Sequence, residues 1–353
     1  MNSTLKTVLK YLLSIFIMVG FLYFSFRGTD FASLWMILSK TNYWWVIALV
    51  PTLLASHLLR AWRWEYLMRP IKKDLKFRNL WAAMMVGYML NNVLPKVGEI
   101  VRPYAITKLE HVPSSAAFGT VIVERIFDII SFMIFIILIP TVYNGPLTQS
   151  FPWLEEAGLW ITLVTLGLMG LFVFLMLRRD LVVRLLGFVT KRLSPAKGRR
   201  LESITHSFLD GFLFVKDTKN YFIIGILSIL IWALYILMMY LPFYGFHIDG
   251  VNIVERYSLD WRTAFVVQAI SSIGMIIPTP GATGPYHYFV IQTLTKLYSV
   301  DAEIARSYAA ATHAVAMVGT TLVGLYYFFK DKIHLREVTT APETDALHGS
   351  QKT

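Results

Sequence analysis

Five charged residues stand in strongly apolar sequence: Glu99, Arg102, Glu124, Arg125 and Asp128. Charge is costly inside a bilayer, and buried ionisable groups there usually serve a function. The arginines could hold a phosphate, while the carboxylates could balance charge or take up protons. We therefore predict an anion-binding site in which the arginines bind the anion and the carboxylates balance charge or couple protons.

A structural role is the alternative for each of these groups. Glu99 and Arg102 are three residues apart at the start of a short helix and can pair on one face. Glu124 and Asp128 lie one helical turn apart and, with Arg125, could form an ion-paired knot that fixes their helix to a neighbour. Both interpretations stay open from the sequence.

A second polar break interrupts a hydrophobic segment at 278–285, which reads Pro-Thr-Pro-Gly-Ala-Thr-Gly-Pro. Free backbone groups near Gly281 and a helix N-terminus near Gly284 would suit an anion, although an ordinary outer-surface turn is the alternative. Asn92, on the first interrupted segment, could line a polar cavity or merely bond between helices. We predict that these three residues bind substrate together with the two arginines above.

Two histidines lie beside the second break. We expect His287 to join the carboxylates in coupling or charge balance, because histidine titrates near neutral pH. His313 lies among small residues, and a buried, hydrogen-bonded structural role is expected for it.

The composition predicts a polytopic membrane protein. The chain has 353 residues, is 56% hydrophobic and 15% aromatic, and carries a formal net charge of +11. The basic residues fall between apolar runs, which favours membrane lipids and an anionic cytoplasmic leaflet as partners rather than nucleic acid. With no cysteine, disulfides and thiolate chemistry are excluded. No motif indicates a cofactor, a metal or a catalytic residue.

The hydrophobic runs predict an all-α fold of six transmembrane helices, at about 9–27, 43–67, 114–142, 158–177, 221–244 and 303–329. The first is expected to be a retained span, because no small-residue cleavage site follows it. A short loop containing Trp35 should lead to the second helix. Near the end of that helix, Arg60 and Arg63 are interpreted as interfacial anchors, with a headgroup contact as the alternative.

Two pairs of shorter segments predict re-entrant helical hairpins, at 79–94 with 98–109 and at 263–277 with 286–297. The first arm would extend roughly 24 Å into the membrane at 1.5 Å per residue. Loop charges place the first hairpin and both termini on the cytoplasmic side and the second hairpin outside. Two interrupted segments that enter the membrane from opposite sides are typical of an inverted-repeat transporter with a site near the midplane.

We divide the chain into a membrane domain, 1–333, and a polar tail, 334–353, that is expected to be disordered. Within the membrane domain, the basic amphipathic segment 178–220 is expected to lie on the cytoplasmic leaflet.

Four motifs resemble the lysylphosphatidylglycerol synthase transmembrane-region family, the flippase-like module of the multiple peptide resistance factor. They are Arg60-x-x-Arg63-Trp64, Asn91-Asn92-x-x-Pro95-x-x-Gly98-Glu99-x-x-Arg102, Glu124-Arg125-x-x-Asp128 and Pro278-x-Pro280-Gly281-x-x-Gly284. The likeness runs in order over nearly the whole chain. It implies a multi-pass bacterial or archaeal inner-membrane protein that moves an anionic or aminoacylated lipid, of phospholipid or polyprenyl-phosphate type, between leaflets.

This sequence departs from the family pattern in two ways. The family often has Pro-Gly-Gly-x-Gly followed by an acid, whereas here Ala282 replaces the second glycine and His287 stands near the acid's place. The soluble aminoacyl-transferring domain of the resistance factor has no counterpart here, so lipid lysylation is not expected. An intramembrane enzyme acting on a lipid-linked substrate and a non-catalytic scaffold remain alternatives, and the oligomeric state stays open.

Overall fold

The structure is a computed structural model that describes residues 3–143, 145, 147–152, 218–248 and 250–333, with scattered residues between 159 and 174. The predicted helix at 158–177, the basic segment at 178–220 and the tail lie mostly or wholly outside the described residues. The described part is almost entirely helical, which confirms the all-α class.

The α-helices of the described residues follow one another with short connections. They are α1 (Ser3–Phe26), α2 (Phe31–Lys40), α3 (Tyr43–Ile47), α4 (Leu49–Met68), α5 (Phe77–Val93), α6 (Gly98–Glu110), α7 (Ser114–Val142), α8 (Leu147–Ser150), α9 (Thr218–Tyr240), α10 (Ile253–Arg256), α11 (Trp261–Gly274), α12 (Pro285–Tyr298) and α13 (Ala302–Lys330). A small antiparallel ribbon pairs β1 (His247–Ile248) with β2 (Val251–Asn252).

Four helical stretches in the described part are long and apolar enough to cross a membrane: Val8–Phe26, Tyr43–Met68, Phe222–Gly245 and Ala302–Lys330. They correspond to the first, second, fifth and sixth predicted spans. The helix predicted as the third span is present as α7, with the predicted bounds of 114–142.

Two details between the first spans differ from the prediction. The expected loop around Trp35 is instead the helix α2, whose start is capped by the Asp30 carboxylate accepting from the Ala32 N–H at 3.0 Å. The second span is broken at Ala48, between α3 and α4. Pro51 explains this break, because a proline has no N–H to bond the carbonyl four residues earlier.

The two arms of the first hairpin, α5 and α6, cross closely enough to require glycine. A Cβ on Gly98 would lie 1.8 Å from the carbonyl oxygen of Gly87. The turn between the arms passes through Lys96 at φ 65°. Asn91 closes the turn by accepting from the Gly98 N–H at 2.8 Å.

The second hairpin, α11 and α12, has the same close crossing at a different pair. A Cβ on Gly274 would lie 2.9 Å from the backbone of Pro285. The turn holds Gly281 at φ 55°, Ala282 at φ 58° and Gly284 at φ 94°. Position 282 therefore lies in the left-handed region, which accounts for the glycine that the resembling family often has there.

The tips of the two hairpins touch. A Cβ on Gly281 would lie 3.3 Å from Oδ1 of Asn92, and the Lys96 ammonium lies 3.5 Å from the carbonyl oxygen of Met275. Asn92 also donates to Thr321 Oγ1 on α13 at 2.9 Å. The first hairpin is thereby joined both to the second hairpin and to the last helix.

Candidate functional site

A cluster of four arginines and three carboxylates lies where α4, α6 and α7 meet, and we call it the charge cluster. Its members are Arg60, Arg63, Glu99, Arg102, Glu124, Arg125 and Asp128. The two arginines of α4 are three residues apart and so face the same side of that helix. Their helix supplies half of the positive charge.

Asp128 accepts from three arginines on two helices. Its Oδ1 lies 2.5 Å from Nη2 of Arg63, and its Oδ2 lies 2.8 Å from Nη1 of Arg60 and 2.9 Å from Nη2 of Arg125. Arg60 also donates from Nε to the Tyr235 hydroxyl at 2.6 Å, which brings α9 to the same point.

Glu124 is the centre of the cluster, with a side-chain exposure of 0%. Arg102 donates to its Oε2, and Arg125 and Arg60 approach its Oε1 at 3.1 Å and 3.3 Å. The Arg102 guanidinium lies 4.0 Å from the ring centroid of buried Trp64. Arg102 is thus held by an ion pair on one side and a cation–π contact on the other.

The structure does not pair Glu99 with Arg102, although their spacing allows it. Arg102 turns to Glu124 on the facing helix, and Glu99 instead lies 3.9 Å from Nη1 of Arg125. Glu99 and Arg125 have side-chain exposures of 33% and 32%, the highest in the cluster. We call this loosely paired, partly exposed side of the cluster, formed by Glu99 and Arg125, its open edge.

Arg60 and Arg63 are cluster members that the sequence interpretation missed. Both are buried, so the expectation of interfacial anchors is wrong. Their spacing of three residues places both side chains on one face of a helix, and this spacing is the feature of the sequence that indicates a shared role. Each acid that lies inside the bilayer requires a buried cation beside it, and Arg60 and Arg63 meet this requirement.

The charge cluster has one more arginine than it has carboxylates, and some of its N–H donors are left without an acceptor. In the part of the chain that the structure describes, the Nε atoms of Arg63, Arg102 and Arg125 are buried without a hydrogen-bond partner. Buried donors without partners are unusual and call for an explanation. An anion at the open edge could use the remaining capacity of Arg125.

The backbone groups predicted to bind anions lie at the second turn. Gly281 packs on Asn92, and the contacts described do not join it or Gly284 directly to the charge cluster. The Gly284 N–H donates to Nδ1 of His287 at 3.3 Å, so this amide is already in use. A Cβ at Gly284 would lie 2.7 Å from the Met18 carbonyl oxygen, which shows how closely α1 covers the turn.

The two histidines meet beside this turn. Their ring centroids are 4.7 Å apart. His287 is buried, and Nε2 of half-buried His313 lies 2.9 Å from the Gly281 carbonyl oxygen. His313 is therefore hydrogen-bonded as predicted.

A smaller ion-paired group closes the other end of α6. The Glu110 carboxylate accepts from Lys72 at 2.8 Å, from the Asn79 amide at 2.6 Å and from the Lys76 N–H at 3.2 Å. Burial raises the pKa of Glu110, but these hydrogen bonds outweigh it and hold the pKa below the ordinary value of 4.5. The same contact raises the pKa of Lys72.

A cavity of about 310 Å³ lies apart from the cluster, around the β-ribbon. Its walls include Trp45, Tyr244 and Glu255. The asparagines that line it are used structurally, since Asn42 and Asn252 cap α3 and α10.

An all-α chain with several apolar spans, two interrupted hairpins and a buried charge cluster defines a multi-pass membrane protein. The model of the family "Lysylphosphatidylglycerol synthase TM region" matches residues 11–324, and the chain belongs to this family.

Among archaeal relatives, the "UPF0104 membrane protein MJ1595" of Methanocaldococcus jannaschii is 24% identical over 92% of this chain and 93% of its own length. A "UPF0104 membrane protein" of Methanothermobacter thermautotrophicus is 28% identical over 76% of each chain. The "Glycosyltransferase AglD" of Haloferax volcanii is 23% identical over 82% of this chain but only 48% of its own length.

Proposed function

We propose that this protein is a flippase-like transporter that moves an anionic or aminoacylated lipid between membrane leaflets. The observation that carries the proposal is the open edge of the charge cluster, where Arg125 and Glu99 are only loosely paired. A headgroup phosphate would displace Glu99 from Arg125 and gain a charge-assisted hydrogen bond. The acyl chains would stay in lipid while the headgroup crosses.

The touching hairpin tips support a path for that headgroup. Asn92, Gly281 and Lys96 lie at the tip contact, and Gly98 and Glu99 begin the arm that leads from it to the charge cluster. Interrupted helices of this kind expose backbone groups at membrane depth only where protein or a polar cavity surrounds them. We place the site near the midplane of the inner membrane, with both termini in the cytoplasm and the hairpins entering from opposite sides.

The roles within the charge cluster follow from burial. Glu124 and Asp128 are each held by several arginines, and so they balance charge. Arg102 shapes the site from behind, since its guanidinium is enclosed by Glu124 and Trp64. Arg125 is the arginine that would contact substrate.

Reconstituted vesicles test this function. The purified protein should speed the exchange of fluorescent phosphatidylglycerol between leaflets more than that of phosphatidylcholine, relative to protein-free vesicles. Equal rates with and without protein would refute the proposal.

The alternative is an enzyme acting on a lipid-linked substrate, which the match to a protein named a glycosyltransferase keeps under consideration. Mass spectrometry of the same vesicles separates the two. Transport leaves the lipid's mass unchanged, whereas an enzyme converts it to a product of different mass.

A further inference from the structure

The turn of the second hairpin holds Ala282 in the left-handed region, which residues other than glycine seldom adopt. Gly281, Ala282 and Gly284 all have positive φ, at 55°, 58° and 94°. At Ala282 this backbone conformation persists only where surrounding contacts hold it in place. Two histidine rings contact this turn, His287 at Gly284 and His313 at Gly281.

The hydrogen bonds fix where the protons are on these rings. The Gly284 N–H can only donate, so Nδ1 of His287, 3.3 Å away, carries a lone pair. The Gly281 carbonyl can only accept, so Nε2 of His313, 2.9 Å away, carries the hydrogen. With these contacts made, His287 has to be neutral, because its imidazolium form would carry a hydrogen on both nitrogens.

We propose that Nδ1 of His287 is a proton-binding site, and that a proton taken there from water releases the turn from α12. The added hydrogen replaces the acceptor and faces the Gly284 N–H, so the hydrogen bond is lost. His313 responds differently. A proton on its Nδ1 leaves the Nε2–H bond to Gly281 intact, so His313 anchors the turn and does not release it.

Among the residues that the structure describes, none acts as a counter-ion for a charged His287. From α13, His313 is the one titratable group among the described residues that acts on it electrostatically. From α1 comes the Phe26 ring, 5.8 Å away, and from its own helix the Tyr286 ring at 5.8 Å. The first hairpin presents uncharged Asn92 to Gly281, and its Lys96, on the Met275 carbonyl oxygen at 3.5 Å, is a cation and cannot compensate an imidazolium. An imidazolium in this place is therefore poorly compensated while the turn is closed.

Release of the turn would loosen the contact between Gly281 and Asn92, and with it the junction of the two hairpins. The link from this movement to lipid transport rests on the proposed function. The movement of the turn does not depend on that function. The measurement therefore reports the accessibility of the turn directly.

Thr279 is the reporter position. The chain has no cysteine, so a single introduced thiol is unambiguous. Thr279 is buried and its Oγ1 has no partner among the described residues, so Thr279→Cys sacrifices no hydrogen bond. Met275→Cys is the matched control, because Met275 lies near the same turn but is exposed.

The experiment measures thiol modification by a dipyridyl disulfide in the full chain in detergent, at about pH 8 and at about pH 3, because burial without a counter-ion disfavours the charged form of histidine. The ratio of the Thr279→Cys rate to the Met275→Cys rate corrects for thiol ionisation. We expect this ratio to rise about fivefold in acid, the change that loss of one hydrogen bond gives. An unchanged ratio would overturn the proposal.

Two substitutions at His287 identify the proton site. His287→Asn and His287→Gln can each offer an amide oxygen to Gly284 but cannot titrate, so the acid response should disappear in both, whatever the basal rate. His313→Gln can still donate to Gly281 and should keep the response. If either His287 variant retains the acid response, or if His313→Gln abolishes it, the proposal fails.

Discussion

Arg102 on α6 and Glu124 on α7 form an ion pair that is buried between the first hairpin and the long helix behind it. The pair ties the hairpin to the fixed part of the charge cluster, while Arg125, next to Glu124 in the chain, extends to the open edge. Arg102 and Arg125 therefore have different environments, and substitutions of the two arginines should have different effects.

Arg102→Ala should lower the free energy of unfolding by about 1–3 kcal/mol, because the buried Oε2 of Glu124 loses its hydrogen-bond donor while the other arginines still compensate the charge. Thermal unfolding in detergent measures this. The control is Arg69→Ala, which removes a surface pair with Glu65 worth about 0–1 kcal/mol. Equal melting temperatures for the two variants would contradict the structural role of Arg102.

Gly98→Ala should prevent the close crossing of α5 and α6, since its Cβ would lie 1.8 Å from the Gly87 carbonyl oxygen. Overpacking of this kind costs about 1–3 kcal/mol, and a backbone neighbour cannot move as a side chain would. Gly225→Ala is the matched control, because a Cβ there meets nothing within 4 Å. A Gly98→Ala protein as stable as the Gly225→Ala protein would show that the arms do not cross here.

Glu110 should make stability depend on pH in the acid range. Its pKa is lower in the folded chain than the ordinary 4.5, so its contribution is complete above that value and is lost as pH falls through the folded pKa. Glu110→Gln should therefore reduce stability at neutral pH and flatten the acid part of the stability profile. A parallel acid profile for the two proteins would exclude this assignment.

Several features of the fold could be predicted because local sequence determines them. The bounds of α7 follow from Pro113 and a long apolar run, and the two hairpins follow from proline and glycine breaks. The helix α2 is not predicted, because its ten residues are too few to span a membrane and the segment resembles a connection between two spans.

The site was predicted less completely, because ion pairs between helices depend on tertiary packing. The acids and Arg125 were found from their place inside an apolar run. The contribution of α4 was not, since Arg60 and Arg63 lie beside tryptophans in a pattern also typical of a membrane interface. Only packing shows that they face Asp128.

The most direct test of the central claim is the rate at which Arg125→Gln moves fluorescent phosphatidylglycerol between the leaflets of reconstituted vesicles, beside wild type and Arg69→Gln. If Arg125 holds the headgroup phosphate, its substitution should slow exchange by about tenfold or more, the effect of losing a charge-assisted hydrogen bond. Arg69→Gln should match wild type, and thermal unfolding should show that both variants are folded. Wild-type exchange by folded Arg125→Gln would contradict the proposed site.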